Sequence, residues 1–145
     1  MPSRYLPLYN IDGPVGPGKP NRADDVRLVR SIFTQLARVD SLQDWLANVP
    51  PQASNMSVTT TFDDTLGQWI LAFQKLYPRN LKADGIIDPL PNASSIALET
   101  SFKSGRISTL AMMCNRLWRL DQRSYLRIGD ELRVPWVPDP NSWHT

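Results

Sequence analysis

The chain has 145 residues, 41% of them apolar and 21% charged, with a net charge of +2. That length and balance predict one globular domain, or one domain with a tail, and exclude a disordered chain. The charge is too close to neutral to imply nucleic acid, and the single cysteine, Cys114, rules out an intrachain disulfide and fits a reducing compartment.

In chain order, residues 1–12 read as an extended lead-in. Pro2, Pro7, Pro14, Pro17 and Pro20 exclude helix, and Gly13, Gly16 and Gly18 permit tight bends. A first helix is predicted from about Asn21, a good N-cap, with Asp24 and Asp25 complementing its positive end. Val26, Val29, Ile32, Phe33 and Leu36 form its apolar stripe, and Arg27, Arg30 and Arg38 fall away from it. A short helix follows at 41–47, then a loop over 48–61 with room for one β-bridge in Val58-Thr59-Thr60-Thr61.

The clearest helix is capped by Asp63 or Asp64 and stopped by Pro78. Leu66, Trp69, Ile70, Phe73, Leu76 and Tyr77 form its inner face. Asp84-Gly85 signals a turn, in which Gly85 supplies a positive φ and Asp84 bonds nearby backbone. Further helices are predicted over 92–102 and 107–120, the latter burying Leu110, Ala111, Met113, Cys114, Leu117 and Trp118. Tyr125-Leu126-Arg127-Ile128 and Glu131-Leu132-Arg133-Val134 read as a small hairpin turning at Gly129-Asp130, and prolines fix an extended end. The predicted fold class is mainly α, a compact bundle of three core helices with an irregular lead-in and a C-terminal extension.

Two phrases carry a family likeness. Val15, Gly16, Gly18 and Asn21, running into Asp25, Val26 and Val29, match a Val-Gly-x-Gly-x-x-Asn lead-in to an Asp-Val-x-x-Val helix. Phe73-Gln74 match a helix ending in Phe-Gln, and Asp84, Gly85, Ile86, Ile87 and Pro89 match an Asp-Gly-Ile-Val-Gly-Pro turn. In these the chain resembles the bacterial peptidoglycan-binding-like domain over roughly residues 13–102. It departs from that pattern where Thr59-Thr60 replace an earlier Asp-Gly turn, where Asp88 and Pro91 stand in the second turn, and in an insertion at 41–61. Residues 103–145 form a C-terminal helix and a tail expected to pack on it.

The resemblance implies a non-catalytic module that recognises cell-wall glycan and stem peptide. Its candidate contacts are Tyr77, Arg79 and Lys82, with Asp84 and Gly85 shaping the groove. The alternative is a protein-interaction adaptor, an accessory or cargo of a bacterial secretion or phage-like machine. Expected partners are therefore peptidoglycan or a protein.

An enzyme is not expected. His144, the lone histidine, is penultimate, so a zinc site of ordinary composition lacks its ligands. Cys114 falls in an apolar stripe, where a buried structural thiol is the default. Asp24-Asp25 and Asp63-Asp64 sit at helix starts rather than facing across a cleft. Gly16-Pro17-Gly18-Lys19 lacks the Ser/Thr ending and the preceding strand of a phosphate loop. No cofactor or metal is expected. Arg106, Arg116, Arg119, Arg123 and Arg127 make 103–133 locally basic, by default a solvated face. Of the five tryptophans, Trp69 and Trp118 are placed in the core, Trp45 under the insertion, and Trp136 and Trp143 in the tail. Residues 1–7 show no secretory signal and no membrane-length apolar run occurs, so the chain is expected to be cytoplasmic as synthesised. Delivery to the periplasm or to a target cell then needs a non-classical route.

Overall fold

A computed structural model describes residues 8–39, 60–79, 81–90, 108–132 and 136–137 of the chain. The helices expected over 41–47 and 92–102 lie outside these residues, as do Trp45, Trp143 and His144. The described elements are strand β1 (Leu8–Tyr9), helices α1 (Ala23–Val39), α2 (Asp64–Leu76), α3 (Thr109–Leu120) and α4 (Gln122–Glu131), and strand β2 (Trp136–Val137). The fold is mainly α and compact, and one apolar core runs from Leu8 to Leu132.

Helix α1 buries the predicted stripe, Val26, Val29, Ile32, Phe33 and Leu36, and adds Leu28. It also buries two charged side chains. Asp25 accepts the Asp12 and Gly13 N–H groups, both at 2.9 Å, and so ties the lead-in to the helix. Arg30, expected to face solvent, is instead buried. Its Nε and Nη2 donate to Thr61 C=O at 3.1 and 2.8 Å, and Nη2 pairs with Asp63 Oδ1 at 2.9 Å. A guanidinium has five donors in a planar fork, so one side chain can hold a carbonyl and a carboxylate together. Asp63 also caps α2 by accepting Leu66 N–H at 2.9 Å, so Arg30 pins the start of α2 onto α1.

The stripes of α1 and α2 meet through rings, with Phe33 centred 5.6 Å from Trp69 and 6.0 Å from Phe73. The backbones of α1, α3 and α4 approach one another more closely. Ser108 caps α3 through Ala111 N–H, and Asp121 both ends α3 and caps α4 through Ser124 N–H at 3.2 Å. The Ser124 bonds hold the Asp121 carboxyl below the usual carboxylate range.

The predicted hairpin over residues 125–134 does not form, because 122–131 is a helix. Tyr125-Leu126-Arg127-Ile128 has strand propensity, but Tyr125, Ile128 and Leu132 recur at helical steps and are the buried side chains of that stretch. Asp121 provides the cap, and Gly129 is carried inside the helix at a cost of roughly 1 kcal/mol relative to alanine. The β structure lies elsewhere. β1 pairs antiparallel with β2, Leu8 opposite Val137 and Tyr9 opposite Trp136.

Tyr9 reaches from β1 into α4. Its hydroxyl accepts Gly129 N–H at 2.8 Å and donates to Tyr125 C=O at 2.7 Å. In an α-helix that N–H and that C=O, four residues apart, are the partners of one turn, so the phenol bonds both ends of a single helical turn. Its ring lies 4.8 Å from that of Tyr125, and Trp118 lies edge-on to Tyr125 at 5.6 Å. Burial pushes the Tyr9 and Tyr125 phenols well up, and the adjoining Cys114 thiol up to about 11.

Candidate functional site

The segment 77–87 follows α2 and holds all five candidate residues. Its geometry is set by Gln74, a buried side chain at 1% exposure on the last turn of α2. Gln74 Oε1 accepts Gly85 N–H at 2.9 Å. Its Nε2 faces Ile86 C=O at 3.0 Å, Thr109 Oγ1 at 3.1 Å and Asp84 Oδ1 at 3.2 Å. A primary amide has two N–H donors, so these three acceptors share them. The amide thus binds the turn to α2 and to the first residue of α3.

The turn itself is local. Asp84 Oδ1 accepts Ile86 N–H at 2.9 Å, an Asx turn, and Gly85 has φ +74°, the left-handed conformation that favours glycine. Gly85 is buried and the Asp84 carboxylate is engaged, so these two residues shape the backbone.

The other phrase folds against this turn. Val15 and Ile87 exchange both backbone bonds, at 2.9 and 2.8 Å. Gly16 packs so closely that a Cβ there would stand 2.8 Å from Gly85 C=O and 2.9 Å from Ile86 Cγ1. Gly16 C=O accepts Lys19 N–H at 3.2 Å, and Gly18 has φ +72° after Pro17, as a type II turn requires. Asn21, expected as the α1 cap, instead holds this turn: its Oδ1 accepts Gly16 N–H at 2.8 Å, and its Nδ2 donates to Gly16 and Lys19 C=O at 2.9 Å each. Asn10 extends the clasp, accepting Leu90 N–H at 2.7 Å and donating to Leu90 C=O at 3.2 Å.

Of the remaining candidates, Tyr77 caps the C-terminus of α2 and is half-buried, its ring 5.5 Å from Phe73. Arg116 of α3 donates to the Tyr77 hydroxyl and places its guanidinium 5.9 Å from the ring centre. Arg79 and Lys82 are exposed on the connection that follows. Sequence reasoning missed both Gln74 as the hub and Arg116 as the partner of Tyr77. Gln74 was readable as part of the Phe-Gln phrase, whereas no local pattern links residues 77 and 116.

The structure therefore brings a half-buried aromatic ring, a guanidinium and two exposed cations onto or beside one hydrogen-bonded turn. Such a set can stack on an apolar ring face and attract carboxylates. Among the described residues, no group of three or more His, Cys, Asp or Glu side chains could hold a metal ion, and no helix is long and apolar enough to cross a membrane. No family model, curated protein or solved structure matches the chain.

Proposed function

We propose that this chain is a non-catalytic binding module for bacterial cell-wall polymer, with its contact face on the 77–82 connection. The observation that carries this reading is the clasp between the two phrases of the resemblance. Residues 15–21 and 84–87, far apart in sequence, share one bridge and one glycine contact. Tyr77 offers a partly open ring to a sugar, and Arg79 and Lys82 offer charge to stem-peptide carboxylates. The test is co-sedimentation of the full chain with purified sacculi. The wild type is expected to pellet above a control protein, and Arg79→Glu with Lys82→Glu is expected to stay in the supernatant. Equal pelleting of the variant, or none by the wild type, defeats the proposal.

One observation favours the second reading, a protein-interaction adaptor. Asp84 and Gly85 are engaged within the fold, which leaves fewer groups facing a polymer than the resemblance implies. A stoichiometric protein partner recovered from the native bacterium, without sacculus binding, would support the adaptor.

A further inference from the structure

Helices α1 and α4 enclose a cleft of about 180 Å³ that shares no residue with the 77–85 segment. On α1, Arg27, Ser31 and Gln35 line it at four-residue steps, one straight row on that helix. On α4, Ser124, Arg127, Ile128 and Glu131 line it, with Leu132 at the helix's C-cap. The volume is below the ~300 Å³ lower end of drug-sized ligand pockets, so the cleft suits one functional group rather than a polymer segment.

Ser31 is the informative side chain. It is only 7% exposed, yet its hydroxyl has no hydrogen-bond partner among the described residues. A buried helical hydroxyl ordinarily bonds back to the carbonyl four residues earlier, as Thr34 does to Arg30 at 2.8 Å. The nearby Ser124 hydroxyl is fully used, accepting from Arg38 at 3.2 Å and donating to Asp121 at 3.0 Å. Ser31 thus presents an unused donor that stays open to the cleft. Above it, Arg27 and Arg127 come from opposite helices, and neither has an ion-pair partner among the described residues. Gln35 receives a bond from Arg38 at its Oε1, which leaves the amide N–H groups available.

We infer that this cleft binds a single carboxylate group, as carried by a free amino acid or the end of a peptide. Arg27 and Arg127 supply the charge, and the Ser31 hydroxyl and the Gln35 amide supply neutral donors. Charge selects a monoanion. Arg27, Arg127 and Arg38, the last bonded to the lining Gln35 and Ser124, stand against Glu131 and Asp121 and leave one net positive charge, which a carboxylate neutralises and a phosphate dianion exceeds.

The test is a titration of the isotopically labelled full chain, followed by backbone amide NMR, with N-acetylalanine, its uncharged amide and inorganic phosphate at matched ionic strength. N-acetylalanine is expected to give saturable shifts at Ser31, Gln35 and Arg127, in the millimolar range typical of one charged contact. The amide is expected to give none, and phosphate to bind at least threefold more weakly. Arg27→Gln and Arg127→Gln, both at exposed positions, are each expected to weaken N-acetylalanine at least fivefold. Equal shifts from the amide, unchanged affinity in both variants, or tighter phosphate binding would overturn the inference. Sacculus binding is a separate readout, so the cleft and the 77–82 face can fail independently.

Discussion

Two buried polar side chains hold distant backbone in this molecule, and they do it differently. Gln74 serves four groups with an amide that does not titrate, and the turn it grips begins ten residues further along the chain. Tyr9 serves one helical turn with a phenol that does titrate, and it grips backbone 116 to 120 residues away. The turn at 84–86 has no substitute for the Gln74 amide. The carbonyl of Tyr125 and the N–H of Gly129, by contrast, are partners of one helical turn and keep each other if the phenol is absent. The amide is therefore indispensable to its turn, whereas the phenol joins two parts of a fold that each have an alternative.

The sharpest way to separate the two is alkaline pH. Cys114, raised from about 9 to about 11, and the Tyr9 and Tyr125 phenols all hold their protons more tightly when folded. Their contribution to stability is complete below the unfolded values and is lost as pH rises through the folded ones. The urea midpoint should be flat from pH 7 to about 9 and then fall steadily to 11, with Tm down by roughly 5 °C or more. A midpoint unchanged at pH 11 would show that these groups are not held protonated in the fold.

Next in size is Gln74→Leu. It fills the same space but leaves Gly85 N–H and Ile86 C=O without their buried partner, an expected loss of about 2–4 kcal/mol in chemical denaturation. Gly16→Ala should cost about 1–3 kcal/mol, because the new methyl meets backbone at Gly85 that cannot swing aside. Gly18→Ala is the control for it. Its φ is +72° but nothing lies within 4 Å of the added carbon, so about 1 kcal/mol of backbone strain is all that is expected. Tyr9→Phe should cost about as little as Gly18→Ala, about 0.5–1.5 kcal/mol, with part of the alkaline loss removed as well. If Tyr9→Phe proves as costly as Gln74→Leu, the helix is not closing its own bond and the contrast collapses.

The same contrast explains what could be read from the sequence. The stripes of α1, α2 and α3, the Asp63 cap and the positive φ of Gly85 follow from spacing and local stereochemistry, and each is present. Arg30 was misplaced because its partners, Thr61 and Asp63, lie beyond a long connection and helical period says nothing about them. Residues 125–131 were misread because β-branched and aromatic propensity competed with helical spacing, and burial of Tyr125, Ile128 and Leu132 decided the outcome. Of the candidate site, the turn was readable and the Arg116–Tyr77 pair was not. The α1–α4 cleft was invisible for the same reason: it exists only once two separately coded helices are side by side.

The phenol that enters α4 also sets a clock on biosynthesis. A ribosome that has made Tyr9 must add 120 more residues before Gly129 exists, roughly 6–24 s at ordinary elongation rates. Throughout that interval Leu8 and Tyr9 have neither α4 nor β2 to cover them. A nascent chain halted before residue 129 should therefore display this apolar segment to chaperones, and a released full-length chain should conceal it.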